Sequence, residues 1–179
     1  MKILVVVDMQ NDFINGALGT PEAQAVVPRV AEKINEFDGE VYFTMDTHKE
    51  NYLDTQEGKN LPVTHCVSDT HGWELHPDIK KMTGSCDRLF YKNAFGSIEL
   101  MEWIAAAAPD DVPDEIVFVG LCTDICVISN AILAKAFFPE VKITVDAACC
   151  AGVTPESHEN ALRAMKMCQI NIENWRGVA

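Results

Sequence analysis

The chain has 179 residues, 48% of them hydrophobic and 23% charged, with a formal net charge of −13. That length suits one domain with a full core, spanning 1–179, better than two. The charge argues against nucleic acid and anionic membrane as partners, because both need clustered Lys and Arg. No apolar run is long enough to cross a bilayer, and the opening MKILVVVDMQ lacks a signal peptide's cleavage region, so the expected location is the cytoplasm. Seven cysteines are present, Cys66, Cys86, Cys122, Cys126, Cys149, Cys150 and Cys168. An odd number without an export signal does not read as a disulfide framework, and no Cys-x-x-Cys pair reads as a zinc ribbon. Most are expected to be small buried apolar residues.

In chain order, residues 3–7 (ILVVV) form an unbroken apolar run, the signature of a strand buried on both faces. Thr20-Pro21 opens a helix over 21–37, with Val26, Val27, Val30, Ile34 and Phe37 on one face. Residues 41–45 form a second strand. Residues 46–77 carry no clear period, and a connection of that length is more often functional than accidental. A short helix around 78–82 and a third strand over 87–91 follow. Ser97 caps a helix over 97–107. A strand over 115–121 leads into a helix over 123–138 capped by Thr123. A strand over 141–145, a helix over 155–167 opened by Thr154-Pro155 and a short strand over 168–172 complete the chain. This alternation predicts a parallel sheet with helices on both faces, whose ligands sit beyond the carboxyl ends of the strands.

Ionisable groups stand at four of those ends: Asp8 after the first strand, Asp46 and His48 after the second, Lys92 after the third, Cys126 after the fourth. With Thr123 as N-cap, Cys126 lies in the first helical turn. There the helix dipole stabilises a thiolate and the unpaired N–H groups can bind an oxyanion. The competing reading is a buried structural cysteine. Asp8, deep behind three valines, is expected to be desolvated, with a raised pKa suited to proton transfer. Lys92 offsets both charges if it reaches across the sheet, a span of about 10 Å for two strand spacings. Asp46 and His48, two apart on an extended segment, point the same way and can share a metal ion. Glu57 and His65 in the following loop are further candidates.

These residues resemble a known family. DMQNDF (8–13), Lys92 and GLCTDICV (120–127) look like the isochorismatase-like cysteine hydrolases, and the likeness runs to VTPESHENAL (153–162). It implies a three-layer, doubly wound α/β fold with a mostly parallel six-stranded sheet of order 3-2-1-4-5-6. It also implies an Asp8–Lys92–Cys126 triad, a cis bond at Leu121–Cys122, and an oxyanion hole from the N–H groups of Cys122 and Cys126. True isochorismatases lack the cysteine. DTH (46–48) followed by His65 resembles the metal site of the nicotinamidase subgroup, with Glu57 placed as a further ligand. The implied cofactor is one divalent metal, zinc first, with iron and manganese also suited to these donors. The implied reaction is nicotinamide to nicotinic acid and ammonia through a thioester. Family members often form homo-oligomers.

Many nicotinamidases carry an aromatic residue before the histidine matching His65; here the run is Leu61-Pro62-Val63-Thr64. Phe13, Phe95 and Leu121 are therefore the candidate substrate contacts. Three other readings remain at this point. One is a cysteine amidase for another small amide or carbamoyl compound. Another is a non-catalytic metal-binding or regulatory module. The third is a hydrolase whose metal activates water, with Cys126 structural.

Overall fold

Five apolar residues in a row after Lys2 leave β1 (Lys2–Val7) no face to show to water, and it lies at the centre of the sheet. It pairs in parallel with β2 (Glu40–Asp46) on one side and β4 (Glu115–Leu121) on the other. In the structure, a computed structural model describing residues 1–84, 88–107 and 112–177, β3 (Leu89–Lys92), β5 (Lys142–Ala151) and β6 (Asn171–Glu173) complete the sheet. The order is β3-β2-β1-β4-β5-β6 and every pairing is parallel, as the family resemblance implied. Asp87, the first residue of the expected third strand, and Cys86 lie outside the described residues.

The strand period of two divides the core. Ile3, Val5 and Val7 face α5 (Ile98–Ala107), α6 (Ile128–Phe137) and α7 (Pro155–Met167), which contribute Leu100, Met101, Ala131, Ala134, Leu162 and Met165. Leu4 and Val6 face α2 (Pro21–Glu36) through Val26, Val27 and Val30. Two short helices precede the third strand's neighbourhood: α1 (Asn11–Ile14), directly after β1, and α3 (Gln56–Asn60), inside the long connection. A further short helix, α4 (Pro77–Lys80), falls where a weak one was expected. The connection over 46–77, which shows no clear period in sequence, also contains a 3₁₀ turn, Tyr52–Asp54.

Two expected boundaries move. β5 runs six residues past Val145, because Asp146-Ala147-Ala148-Cys149-Cys150-Ala151 holds no large β-forming side chain to mark it. A shift in register between Phe118 and Gly120 lets it pair on to Cys150 and Ala151. Gly120, at φ 114°, lies so close to the Val7 backbone that any Cβ would strike it. β6 begins three residues later than the expected last strand.

Helix starts follow the sequence signals. Thr20 Oγ1 accepts from Ala23 N at 3.0 Å, and Ser97 Oγ accepts from Leu100 N at 3.3 Å. Thr154 and Ser157 form a reciprocal capping box at the start of α7, each side chain accepting the other's backbone N–H at 3.0 Å. Thr154→Ala should lower stability by about 1 kcal/mol. Urea unfolding will show this as a lower midpoint with unchanged slope; an unmoved midpoint would mean the cap contributes nothing.

Candidate active site

The ends of β1, β3 and β4 bring Asp8, Lys92 and Cys126 together. Asp8 directly follows β1, in the left-handed region at φ 47°, a conformation Asp tolerates better than most residues. Its side chain is fully buried. Oδ1 accepts from Thr44 Oγ1 at 2.7 Å, while Oδ2 lies 2.7 Å from Lys92 Nζ. Oδ2 makes that ion pair and, among the described residues, no hydrogen bond of good geometry. Lys92 Nζ also donates to Cys126 Sγ at 3.4 Å and lies 3.5 Å from Asp46 Oδ1.

The electrostatics follow from that packing. Burial raises the Asp8 pKa, Lys92 opposes the shift, and Asp46 adds to it. Burial alone would strip Lys92 of its proton, but Asp8, Cys126 and Asp46 outweigh it and hold the cation. The Cys126 thiol is pushed well up, first by burial and then by the Asp8 charge, against Lys92. The expected dipole-stabilised resting thiolate is therefore corrected: desolvation wins. The local geometry also differs. Cys122, not Thr123, occupies the N-cap, and Thr123–Val127 is a π-type turn leading into α6. Thr123 instead pairs its Oγ1 with His158 Nδ1 at 2.8 Å, joining this turn to α7. Leu121–Cys122 is a cis peptide, as the resemblance implied.

Asp46, His48, Glu57 and His65 converge beside this group, with one ligand atom from each lying within 4.8 Å of the others. His48 Nε2 is 2.9 Å from Asp46 Oδ2 and 3.6 Å from Glu57 Oε1. His65 Nε2 is 3.5 Å and 3.7 Å from the same two oxygens. Donors about 2.1 Å from a tetrahedral ion would stand about 3.4 Å apart, so the quartet fits a divalent metal. His65 Nδ1 donates to the Val63 carbonyl at 2.8 Å, which leaves Nε2 with its lone pair inward. Asp46 is held well below the usual carboxylate range: burial raises it, but His48, His65 and Lys92 prevail. Burial and then Asp46 push Glu57 up.

The DMQNDF segment builds the platform for this quartet. Gln10 Oε1 accepts from Asp46 N at 2.7 Å, and its Nε2 donates to Asp46 O and Trp73 O, both at 2.8 Å. Asn11 Nδ2 donates to His71 O, and Asp12 Oδ2 accepts from Cys66 N at 2.8 Å. The loop carrying His65 is thus tied to the end of β1. Tyr52, fully buried, packs its ring 4.7 Å from His48 and 4.9 Å from His65, and donates to Leu61 O. Sequence reasoning gave no role to Thr44, Gln10 or Tyr52. A Thr inside an otherwise apolar strand was the available signal for Thr44.

A cavity of about 510 Å³ opens over both groups, within the usual size of small-molecule sites. Cys126 and Cys122 line one side, Asp46, Glu57 and His65 another, and Phe13 and Phe95 form aromatic walls. Leu61, Ile125 and Val153, not singled out from the sequence, also line it. Leu121, proposed as a substrate contact, is not in the wall: it is fully buried in the core on the α2 side of the sheet.

A family model for the isochorismatase domain matches residues 2–175. The chain belongs to the isochorismatase family. Within that family it is 27% identical to the nicotinamidase/pyrazinamidase of Mycobacterium tuberculosis, across 96% of this chain and 98% of that protein. The solved pyrazinamidase of Pyrococcus horikoshii, in complex with zinc, is 28% identical with a TM-score of 0.78, covering 97% of this chain and 99% of its own. N-carbamoylsarcosine amidase from Thermoplasma acidophilum is 27% identical with a TM-score of 0.76, covering 99% and 98%.

Removing the cation tests the electrostatics directly. Lys92→Met leaves Asp8 buried without its partner and should cost about 3–5 kcal/mol. Adding Asp8→Asn should recover part of that loss in denaturant unfolding; an additive double variant would deny the coupling.

Proposed function

We propose that this isochorismatase-family protein is a nicotinamidase, an amidohydrolase that converts nicotinamide to nicotinic acid and ammonia. The observation that carries the proposal is one cavity onto which two groups open: the Asp8–Lys92–Cys126 cluster through Cys126, and the Asp46–His48–Glu57–His65 quartet through Asp46, Glu57 and His65. The similarity to nicotinamidases across nearly the whole chain supports it.

Asp8 Oδ2 takes the Cys126 proton as sulfur attacks the amide carbonyl. Because the resting thiol is held protonated by burial, attack and proton transfer are coupled. The backbone N–H groups of Cys122 and Cys126 receive the oxyanion. Asp8 returns the proton to the departing nitrogen, the C–N bond breaks, and ammonia leaves a thioester on Cys126. Asp8 then draws a proton from water, which attacks the thioester. The acid is released and the thiol restored. Lys92 stays cationic throughout and offsets the charge on Asp8 and sulfur.

Asp46, His48, Glu57 and His65 would hold a divalent ion, zinc first among them. When bound, it supplies a Lewis-acid anchor for a ring heteroatom of the substrate. Phe13 and Phe95 orient the ring against Cys126. The setting is cytoplasmic on this reading, supported by six unpaired cysteines among the described residues. Among those residues, no helix is long and apolar enough to cross a membrane.

A second reading, hydrolysis of a carbamoyl compound, has the likeness to N-carbamoylsarcosine amidase in its favour. Ammonia release from nicotinamide separates the two. Wild type should release it, and Cys126→Ala should lose at least about 10³-fold of that activity. A wild type silent on nicotinamide but active on a carbamoyl amide would reverse the assignment. Metal removal by a chelator should raise KM more than it lowers kcat, with zinc restoring both. A fall confined to kcat would mean the ion acts on the chemistry rather than on substrate position.

A further inference from the structure

One turn beyond Cys126, α6 carries a fully buried carboxamide, Asn130. An uncharged amide in an apolar core must find partners for its two donors and its acceptor. Asn130 finds all three. Nδ2 donates to the Cys126 carbonyl at 2.8 Å and to the Phe95 carbonyl at 3.1 Å. Oδ1 accepts from Ser97 N at 2.9 Å.

The partners matter more than the number. Phe95 and Ser97 belong to the irregular segment joining β3 to α5, and that segment follows Lys92 directly. It has no ladder of its own to fix it. Phe95, whose ring is one wall of the cavity, is 45% exposed as a residue, so packing alone does not hold it. Gly96 approaches α6 closely: a Cβ there would stand 3.3 Å from Leu133 Cδ2 and 3.5 Å from Ser129 O. The segment is thus drawn onto α6, and Asn130 grips it on both sides of the glycine.

We propose that Asn130 is a positioning residue that fixes the Phe95 wall at a set distance from the turn bearing Cys126. A single rigid amide spans the gap between the two elements, so the width of the cavity between ring and sulfur is set by one side chain. This rests on Cys126 being the nucleophile and Phe95 a substrate wall. Asn130 touches no reacting atom; it acts through the backbone of both.

The test compares wild type with Asn130→Asp and Asn130→Ser in nicotinamide hydrolysis. In parallel, iodoacetamide alkylation of Cys126 is followed by mass spectrometry, giving both its rate and the fraction of reactive sites. Asp keeps the shape and the acceptor for Ser97 but offers oxygen where Nδ2 donated. Ser can still reach the Cys126 carbonyl and cannot span to Phe95. Positioning predicts a KM raised at least about fivefold in both, with the reactive fraction of Cys126 as in wild type. It also predicts faster alkylation, since a loosened wall uncovers the sulfur. A kcat that falls only in proportion to the lost reactive fraction, at constant KM, overturns the proposal in favour of a purely structural role. Wild-type kinetics in both variants, or failure of both to fold, does the same. Should wild type not hydrolyse nicotinamide, the substrate assignment fails separately, and the alkylation rate decides: faster supports positioning, unchanged overturns it.

Discussion

The buried ammonium of Lys92 is the interaction on which the site depends. It stands 2.7 Å from Asp8, 3.5 Å from Asp46 and 3.4 Å from the Cys126 sulfur, with almost none of its surface in water. Three acidic groups cannot share a dry pocket without a cation; each would be neutralised by protonation instead. On the proposed mechanism, Lys92 lets Asp8 stay ionised until it takes the thiol's proton, and lets sulfur carry charge as it attacks. The same cation helps hold Asp46 ionised, ready to act as a metal ligand. On the proposed reading, Lys92 thus joins the chemistry on one side of the cavity to ion binding on the other.

That junction is possible because of the sheet. β2 lies between β1 and β3, and Asp46 sits in register with Lys92. The Lys92 side chain reaches over the end of β2 to Asp8, covering the two-strand gap along a stem that is itself buried. Parallel strands deliver their carboxyl ends to one edge, so residues distant in sequence meet without any special loop geometry. The loop ligands need more help. His65 is held by the Val63 carbonyl, by Tyr52, and through the Asp12–Cys66 hydrogen bond by the segment that follows Asp8. The acidic motif residue Asp12 therefore supports the metal quartet without joining it.

The long connection after β2 shows why part of this was hidden. It is held from outside by Gln10 to Trp73 and Asn11 to His71, and across itself by Tyr52 to Leu61. Such contacts leave no period in the sequence. The same holds for β5, whose final residues are small and become strand only because β4 offers a shifted register. Cys126 shows the limit from the other direction. Its place after β4 at the start of a helical segment could be read from the sequence, whereas its degree of burial could not. Burial reversed the expected direction of its pKa.

The sequence by itself determined the alternation of strands and helices, the centrality of ILVVV, and the caps at Thr20, Ser97 and Thr154. It also marked the strand ends where Asp8, Asp46, Lys92 and Cys126 stand, because hydrophobic period and local hydrogen bonding are properties of neighbouring residues. The order of the sheet and the expected chemistry of the site came through resemblance of motifs. The tertiary structure alone decided that Leu121 turns into the core, that Thr123 pairs with His158, that Tyr52 backs both histidines, and that Asn130 spans from Cys126 to Phe95. Each of these depends on which segments the sheet brings face to face, and on how much water that packing removes.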